Sequence, residues 1–256
     1  MDGFFSNGVF CFETGAATDV GCRRSINEDS LICRPEFGLW TVADGMGGHA
    51  AGDYASGMIV QELGSVGVAA SEQDLQARYM ERLVRANQAI RSHAVKLGGQ
   101  TIGSTVVSLL VQGEDWFVVW SGDSRAYLMR EGHLVQQSRD HTELQAMLDG
   151  GQLRPEDARS YPRKNVITRA IGVTAEPQCD IVSGKLRAGD LFVLCSDGLM
   201  EHMADREIAA IVRDYPPQAA CNQLIRETLA RGARDNVTVV VISCSPTMFD
   251  ETTQPV

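Results

Sequence analysis

No Cys-x-x-Cys pair occurs among the seven cysteines of this 256-residue chain. It therefore has neither the spacing of a thiolate zinc site nor that of a dithiol redox centre. Cys11, Cys22, Cys33, Cys179, Cys195, Cys221 and Cys244 are scattered, and several sit in apolar runs. They are expected to act as small core hydrophobes in a reducing, cytoplasmic setting. Basic residues are few: Lys and Arg number 23 against 33 Asp and Glu, a formal net charge of -10. That balance argues against nucleic acid or an anionic membrane as partner. No apolar run reaches the roughly 18–20 residues of a membrane span. The first ten residues lack the basic stretch of a signal peptide. A G-x-x-x-x-G-K-[ST] loop is missing as well, which excludes a P-loop nucleotide hydrolase.

Hydrophobic residues make up 44% of the chain, enough to bury a sizeable core. Apolar and alternating runs predict strands over 38–43, 105–111, 116–120, 126–129, 134–137, 191–195 and 237–243. Gln112-Gly113-Glu114-Asp115 and Arg130-Glu131-Gly132 are short links, which join antiparallel neighbours and not βαβ crossovers. A stripe of Leu75, Met80, Leu83, Val84, Ile90 and Leu97 predicts a helix over 74–97, stopped by Gly98-Gly99. Further helices are expected over 49–63, 206–213 and 218–230, the last two separated by Pro216-Pro217. Runs of strands with paired helices between them give an α+β fold. We expect one domain over 1–244 with an excursion at 140–172. Residues 245–256 lose strand periodicity and read as a polar extension.

The acidic surplus serves either solubility or a carboxylate-rich cation site, and the strand ends bear on the choice. Asp44-Gly45 closes the run Leu39-Trp40-Thr41-Val42-Ala43. Asp123 follows Val118-Val119-Trp120-Ser121-Gly122, and Asp197-Gly198 follows Leu191-Phe192-Val193-Leu194-Cys195-Ser196. Asp235-Asn236 is the mirror image, standing before Val237-Thr238-Val239-Val240-Val241, and Asn27-Glu28-Asp29 precedes another short apolar stretch. Taken singly, an Asp-Gly is an ordinary turn. Buried strands of a common core can bring their ends to one rim, where several carboxylates would repel one another or stay protonated. A divalent cation removes that penalty. Oxygen ligands without a His/Cys cluster point to Mg²⁺ or Mn²⁺ rather than zinc. Two such ions sharing a carboxylate activate water and neutralise a phosphoryl group in transfer. Arg24 is a candidate phosphate clamp, because a guanidinium grips two oxygens in parallel. A solvated arginine beside Arg23 is the alternative.

Further motifs stand around these: Gly21-Cys22-Arg23-Arg24-Ser25-Ile26-Asn27-Glu28-Asp29, Asp44-Gly45-Met46-Gly47-Gly48-His49, Gly103-Ser104-Thr105, and Gly122-Asp123-Ser124-Arg125-Ala126-Tyr127. Asp140-His141-Thr142, Asn165-Val166-Ile167-Thr168-Arg169-Ala170-Ile171-Gly172, Ser196-Asp197-Gly198-Leu199 and Asp235-Asn236 complete the order. In that order they resemble the metal-dependent serine/threonine phosphatases of type 2C, bacterial form, over about residues 21–241. The resemblance implies a four-layer αββα sandwich of two mainly antiparallel sheets flanked by helix pairs. It implies hydrolysis of phosphoserine and phosphothreonine in proteins, opposing a Ser/Thr kinase. By position, Asp44 would bridge two tight Mn²⁺ or Mg²⁺ ions, with the Gly45 carbonyl on one and Asp197 and Asp235 on the other. Asp123, with Asp197, would hold a weaker third ion. Glu28 and Asp29 would act through waters on the metals, and Arg24 would bind the substrate phosphate. Eukaryotic members carry a His directly after the Asp-Gly, proposed to protonate the leaving group. Here that position is Met46, as in many bacterial members, and His49 is expected to have a structural role, so a water on the metal is the first choice of acid.

Two rival readings stand beside this one. Gly45-Met46-Gly47-Gly48-His49-Ala50 fits the G-x-G-x-x-A of a nucleotide-binding turn, although Asp44 would repel a pyrophosphate. A catalytically inactive binding module on the same fold would be expected to lose metal aspartates or Arg24, and all are present. The excursion 140–172 would form a flap beside the cleft, mostly exposed and mobile. In it Arg163 and Lys164 either meet acidic groups flanking a phosphosite or face solvent. This segment also looks like phosphatases associated with type VI secretion, whose target would be a forkhead-associated scaffold protein. The chain is expected to be a monomer.

Overall fold

Strands covered on both faces cannot alternate apolar with polar residues, and the continuous apolar runs of this chain are such strands. The computed structural model describes residues 3–47 and 51–247. Its strands are β1 (Gly3–Ser6), β2 (Phe10–Asp19), β3 (Asp29–Arg34), β4 (Leu39–Met46), β5 (Gly103–Ser104), β6 (Val106–Gln112), β7 (Asp115–Ser121), β8 (Arg125–Arg130), β9 (His133–Gln136), β10 (Asp180–Lys185), β11 (Leu191–Cys195) and β12 (Val237–Pro246). Helices are α1 (Gly52–Leu63), α2 (Glu72–Lys96), α3 (Glu143–Asp149), α4 (Asp197–Met200), α5 (Asp205–Asp214) and α6 (Pro217–Ala230). One antiparallel sheet runs β1-β2-β12-β11-β8-β9; the other runs β10-β7-β6-β4-β3, with β5 paired to β4.

Three cores stack between four layers. Trp40, Val42, Val107, Leu109, Trp120, Phe192, Leu194 and Val240 fill the space between the sheets. On β4, β6 and β7 the alternate residues Leu39, Ala43, Val106, Leu110, Phe117 and Val119 face the other way, against Ile59, Leu63, Leu83 and Ile90 of α1 and α2. Val193, Cys195, Val239 and Val241 do the same toward Ile208, Val212, Leu224 and Ile225 of α5 and α6. The αββα sandwich expected from the resemblance is therefore observed. Within the first helical layer a buried polar chain, Thr41–Ser108–Tyr79, satisfies its hydroxyls at 2.7 and 2.8 Å.

The structure adds what periodicity did not mark. β1, β2, β3, β5 and β10 are not among the predicted strands. β2 carries small and polar residues because α6 lies close on it: a Cβ on Gly15 would fall 2.2 Å from the Pro217 carbonyl carbon. β10 is an edge strand with a mostly exposed pattern, which reads as loop. β12 runs two residues into the segment read as a polar extension, pairing Ser245 with Cys11 and Pro246 with Phe10. Proline is tolerated there as the last residue of the strand, beyond the end of β11. The rest of that extension, from 248, and His49 lie outside the described residues. All seven cysteines are free; Cys195, Cys221 and Cys244 are buried, Cys11, Cys33 and Cys179 half-buried, and Cys22 is exposed, so the core reading fails for Cys22.

Candidate metal centre

The aspartates converge because antiparallel strands end together. Asp29 at the start of β3 is the register partner of Asp44 near the end of β4. Like charges directly opposite in a sheet are destabilising unless something else compensates. Gly45 admits the start of α1, since a Cβ there would lie 2.0 Å from the Gly52 carbonyl oxygen. Gly198 plays the same part on the second sheet, where a Cβ would lie 2.0 Å from the Asn236 carbonyl oxygen. That contact brings the turn after Asp197 onto the turn that carries Asp235. Asp123 is tied in through its neighbour: the Ser124 hydroxyl meets the Thr105 hydroxyl at 2.7 Å, and Thr105 Oγ1 accepts the Asp44 N–H at 3.1 Å.

Asp29 shows how lopsided the donor supply is. Its Oδ2 accepts from Ser196 Oγ at 2.8 Å and from Thr238 Oγ1 at 2.7 Å. Its Oδ1 is buried without a partner, and so is Oδ1 of Asp123. Burial pushes the Asp29 carboxyl up to about 6 despite the two hydroxyl donors, with Asp235 and Glu28 adding repulsion. Burial, then the charge of Asp140, takes Asp123 up to about 6 as well. Asp44 and Asp197 keep some surface open to the cleft. The protein packed around them still desolvates both, and their neighbours' charges drive them further above the usual carboxylate range. For Asp44 those neighbours are Asp29, Asp197, Asp123 and Asp235.

Glu28 sits at the edge of the group. Its N–H donates to Asn236 Oδ1 at 2.8 Å, and its Oε1 accepts from the Gly52 N–H at 3.2 Å. Burial raises its carboxyl too. Arg24 donates to Asp235 Oδ2 at 2.7 Å, and this bond holds its guanidinium above the usual value. Gly45 follows Asp44, with its N–H on the Glu28 carbonyl at 3.1 Å. Met46 lies against Gly103 and supplies no titratable group.

The sequence-predicted residues are thus brought together: Asp29, Asp44, Asp123, Asp197 and Asp235 share one electrostatic neighbourhood, with Glu28 and Arg24 on its rim. Among the described residues no three of these side chains close on a single point. A hard divalent cation nevertheless fits: the donors are oxygens, two of them are buried and unpartnered, and the repulsion is what a cation relieves. Sequence reasoning missed Ser196, Thr238, Thr105 and Asn236 as supports. Ser196 and Asn236 adjoin Asp197 and Asp235 in sequence, but a hydroxyl or amide beside an Asp carries no signal until the second sheet is in place.

A cavity of about 320 Å³ opens over Asp123 and Asp197, roofed by Leu144 and Leu148 of α3. The flap it belongs to is pinned at both ends. The His141 N–H donates to the Gly122 carbonyl at 2.9 Å, and Arg125 forks onto Asp140 at 2.8 and 2.6 Å. Ile171 bridges to Ser104. Arg163, expected to face either substrate or solvent, pairs with Glu143 at 2.8 Å. A slightly larger cavity of about 370 Å³, lined by Phe5, Phe12, Phe37 and Val68, lies at the far end of the strands and holds no carboxylate cluster.

Two stacked sheets whose ends gather buried carboxylates, with an arginine at the rim, have the chemistry that hard cations and a phosphoryl group call for. The chain belongs to the protein phosphatase 2C family, whose pattern it matches over residues 23–235. It is 36% identical over 229 residues to the serine/threonine protein phosphatase PstP of Mycobacterium tuberculosis, covering 88% of this chain and 44% of that protein's length. The chain thus spans about half of that relative. Its fold matches the structure of PppA, a key regulatory component of the type VI secretion system in Pseudomonas aeruginosa, with a TM-score of 0.85 and 37% identity over 91% of this chain and 97% of the other. The catalytic domain of PstP solved with two manganese ions gives a TM-score of 0.82 and 34% identity over 92% and 99% of the two chains.

Proposed function

We propose that the protein hydrolyses phosphoserine and phosphothreonine in proteins with the help of divalent cations, opposing a Ser/Thr kinase. The observation that carries this reading is the buried aspartate group with two unpartnered carboxylate oxygens beside an arginine. Asp44, the Gly45 carbonyl, Asp197 and Asp235 would hold two tight Mn²⁺ or Mg²⁺ ions, and Asp123 with Asp197 a weaker third. Glu28 and Asp29 would contribute through water. The manganese complex of the PstP domain supports two ions of this kind. When bound, such ions supply Lewis acidity and an activated water for in-line attack on phosphorus.

The chain's own residues do the rest. Arg24 exchanges its Asp235 partner for two phosphate oxygens, which fixes the phosphoryl group for attack. Ser196 and Thr238 hold the Asp29 carboxylate from the opposite sheet. Met46 has no proton to give, so a water in the cleft would be the first choice of acid for the leaving group. One domain over 1–244, with 140–172 as its flap, is the unit that performs this. Likeness to PppA supports placing the chain in the type VI secretion branch; a forkhead-associated scaffold protein as target and a monomeric enzyme complete the proposal. Among the described residues no helix is long and apolar enough to cross a membrane; a cytoplasmic location is part of the proposal.

The test is turnover of p-nitrophenyl phosphate with Mn²⁺ or Mg²⁺ and its loss in EDTA. Asp44→Asn and Asp197→Asn each remove charge from the cation site and should lower kcat by about 100-fold or more. Near-normal activity in either variant would remove the site assignment.

A further inference from the structure

Next to the carboxylate cavity lies another of about 400 Å³, lined by Lys164, Glu201, His202, Arg231 and Arg234. Lys164 and Glu201 line both cavities, so the two adjoin. Their charges are opposite. The first is walled by Asp123, Asp140 and Asp197; the second sets three fixed cations against Glu201 alone, in a chain of net charge -10.

The members of this basic pocket are not equivalent. Arg231 donates to both Glu207 oxygens, at 2.7 and 3.1 Å, and to the His202 carbonyl at 2.7 Å. It is neutralised and forms a fixed wall. Glu201 accepts from Asn165 Nδ2 at 3.1 Å. The Arg234 N–H donates to His202 Nε2 at 3.3 Å, so the neutral ring carries its proton on Nδ1 as a further donor. Among the described residues, the side chains of Lys164 and Arg234 form no ion pair. Arg24, Arg125, Arg130, Arg163 and Arg169 all do. Other described cations without an ion pair, such as Arg91, Lys96, Arg206 and Arg226, line neither cavity, whereas Lys164 and Arg234 share this pocket beside the carboxylates, and Arg234 directly precedes Asp235. Lys164 and Arg234 are both exposed and free to meet an anion from outside.

We propose that this pocket is a subsite for a second anionic group of the phosphoprotein substrate, an acidic side chain or a second phosphate close to the residue being dephosphorylated. The inference rests on the phosphatase reading above and names the substrate class it prefers. A peptide held by its phosphate at Arg24 passes Arg234 as it leaves the metal centre, and a flanking anion then settles between Arg234 and Lys164. Binding energy from that remote group raises kcat/KM without touching the reacting atoms.

Three phosphothreonine peptides of one length test it: neutral flanks, a glutamate flank, and a flank bearing a non-hydrolysable phosphonate. Wild-type kcat/KM should be about five- to tenfold higher for the anionic peptides, the size of one or two exposed ion pairs, and should shrink at high salt. In Arg234→Ala with Lys164→Ala the preference should fall to about one, while p-nitrophenyl phosphate and the neutral peptide are hydrolysed as before. A larger gain from phosphonate than from glutamate assigns the pocket to a second phosphate; equal gains assign it to acidic sequence in general. Equal rates for all three peptides in the wild type, or a preference that survives the double variant, would overturn the subsite. So would an equal fall for every substrate in Arg234→Ala, which would make Arg234 a support of Asp235. No turnover of p-nitrophenyl phosphate by the wild type would instead overturn the phosphatase reading, and the subsite with it.

Discussion

Asp29 holds two hydroxyls on one carboxylate oxygen and nothing on the other. Hydroxyl donors favour the ionised form, and burial together with the neighbouring carboxylates opposes it. Thr238→Val separates these effects with little change in shape. It removes the 2.7 Å donor to Asp29 and a 2.7 Å contact with Thr18, while the backbone of β12 is retained. A hydrogen bond to a charged group is worth about 1.5–3 kcal/mol, so the Asp29 carboxyl should rise further. Cations compete with protons for that oxygen, so Mn²⁺ affinity near neutral pH should fall by about tenfold, read by calorimetry. Unchanged affinity would show that Asp29 takes no part in holding the ions, even through water. Arg24 lies on Asp235 for the same electrostatic reason, as two rim groups of opposite charge.

At the scale of elements, the site is a consequence of where strands stop and of two glycines that let backbones touch. Gly198, the second residue of α4, lies against the Asn236 carbonyl, so Gly198→Ala would drive a methyl group to within 2.0 Å of backbone oxygen. The backbone must shift, and we expect a loss of roughly 3 kcal/mol, about 6–12 °C in Tm for a chain of this size. Mn²⁺ binding should weaken with it, because Asp197 and Asp235 move apart. A Tm within a degree of wild type would show that the two turns are not packed as tightly as described. What could be read from sequence follows the same physics. β4, β6, β7, β11 and β12 announce themselves because they are buried on both faces, and the aspartates stand at their ends. β2 and β10 do not, because α6 covers one with small residues and the other is an exposed edge. Ser196 and Thr238 become meaningful only when the second sheet carries them to Asp29, and the Glu143 partner of Arg163 depends on how the flap folds back on itself.

For the molecule as a whole, the aspartate group makes stability depend on pH in the direction opposite to that of most paired carboxylates. Asp29 and Asp123 titrate at about 6 in the folded protein, against about 3.9 for an unfolded aspartate. Between those values the folded state binds more protons than the unfolded one, so stability falls as pH rises. Below the unfolded value both states are protonated and nothing is lost; above about 6 the loss from these two is complete, roughly 2–3 kcal/mol for each group. Asp44 and Asp197, pushed up further by burial and by their neighbours, extend the decline to higher pH. Cations bind where the protons leave, so their contribution should grow over the same range. Calorimetric melts in EDTA should therefore show Tm dropping from about pH 5 to pH 8. Melts in excess Mn²⁺ should not show that drop, and the gap between the two series should widen steadily. Asp44→Asn should flatten the upper part of the EDTA series, since it removes a buried carboxyl that its neighbours' charges drive up, while the burial of Asp29 and Asp123 remains. A gap that stays constant across pH would mean that the aspartates are already ionised without a cation and that the ions stabilise the fold from somewhere else.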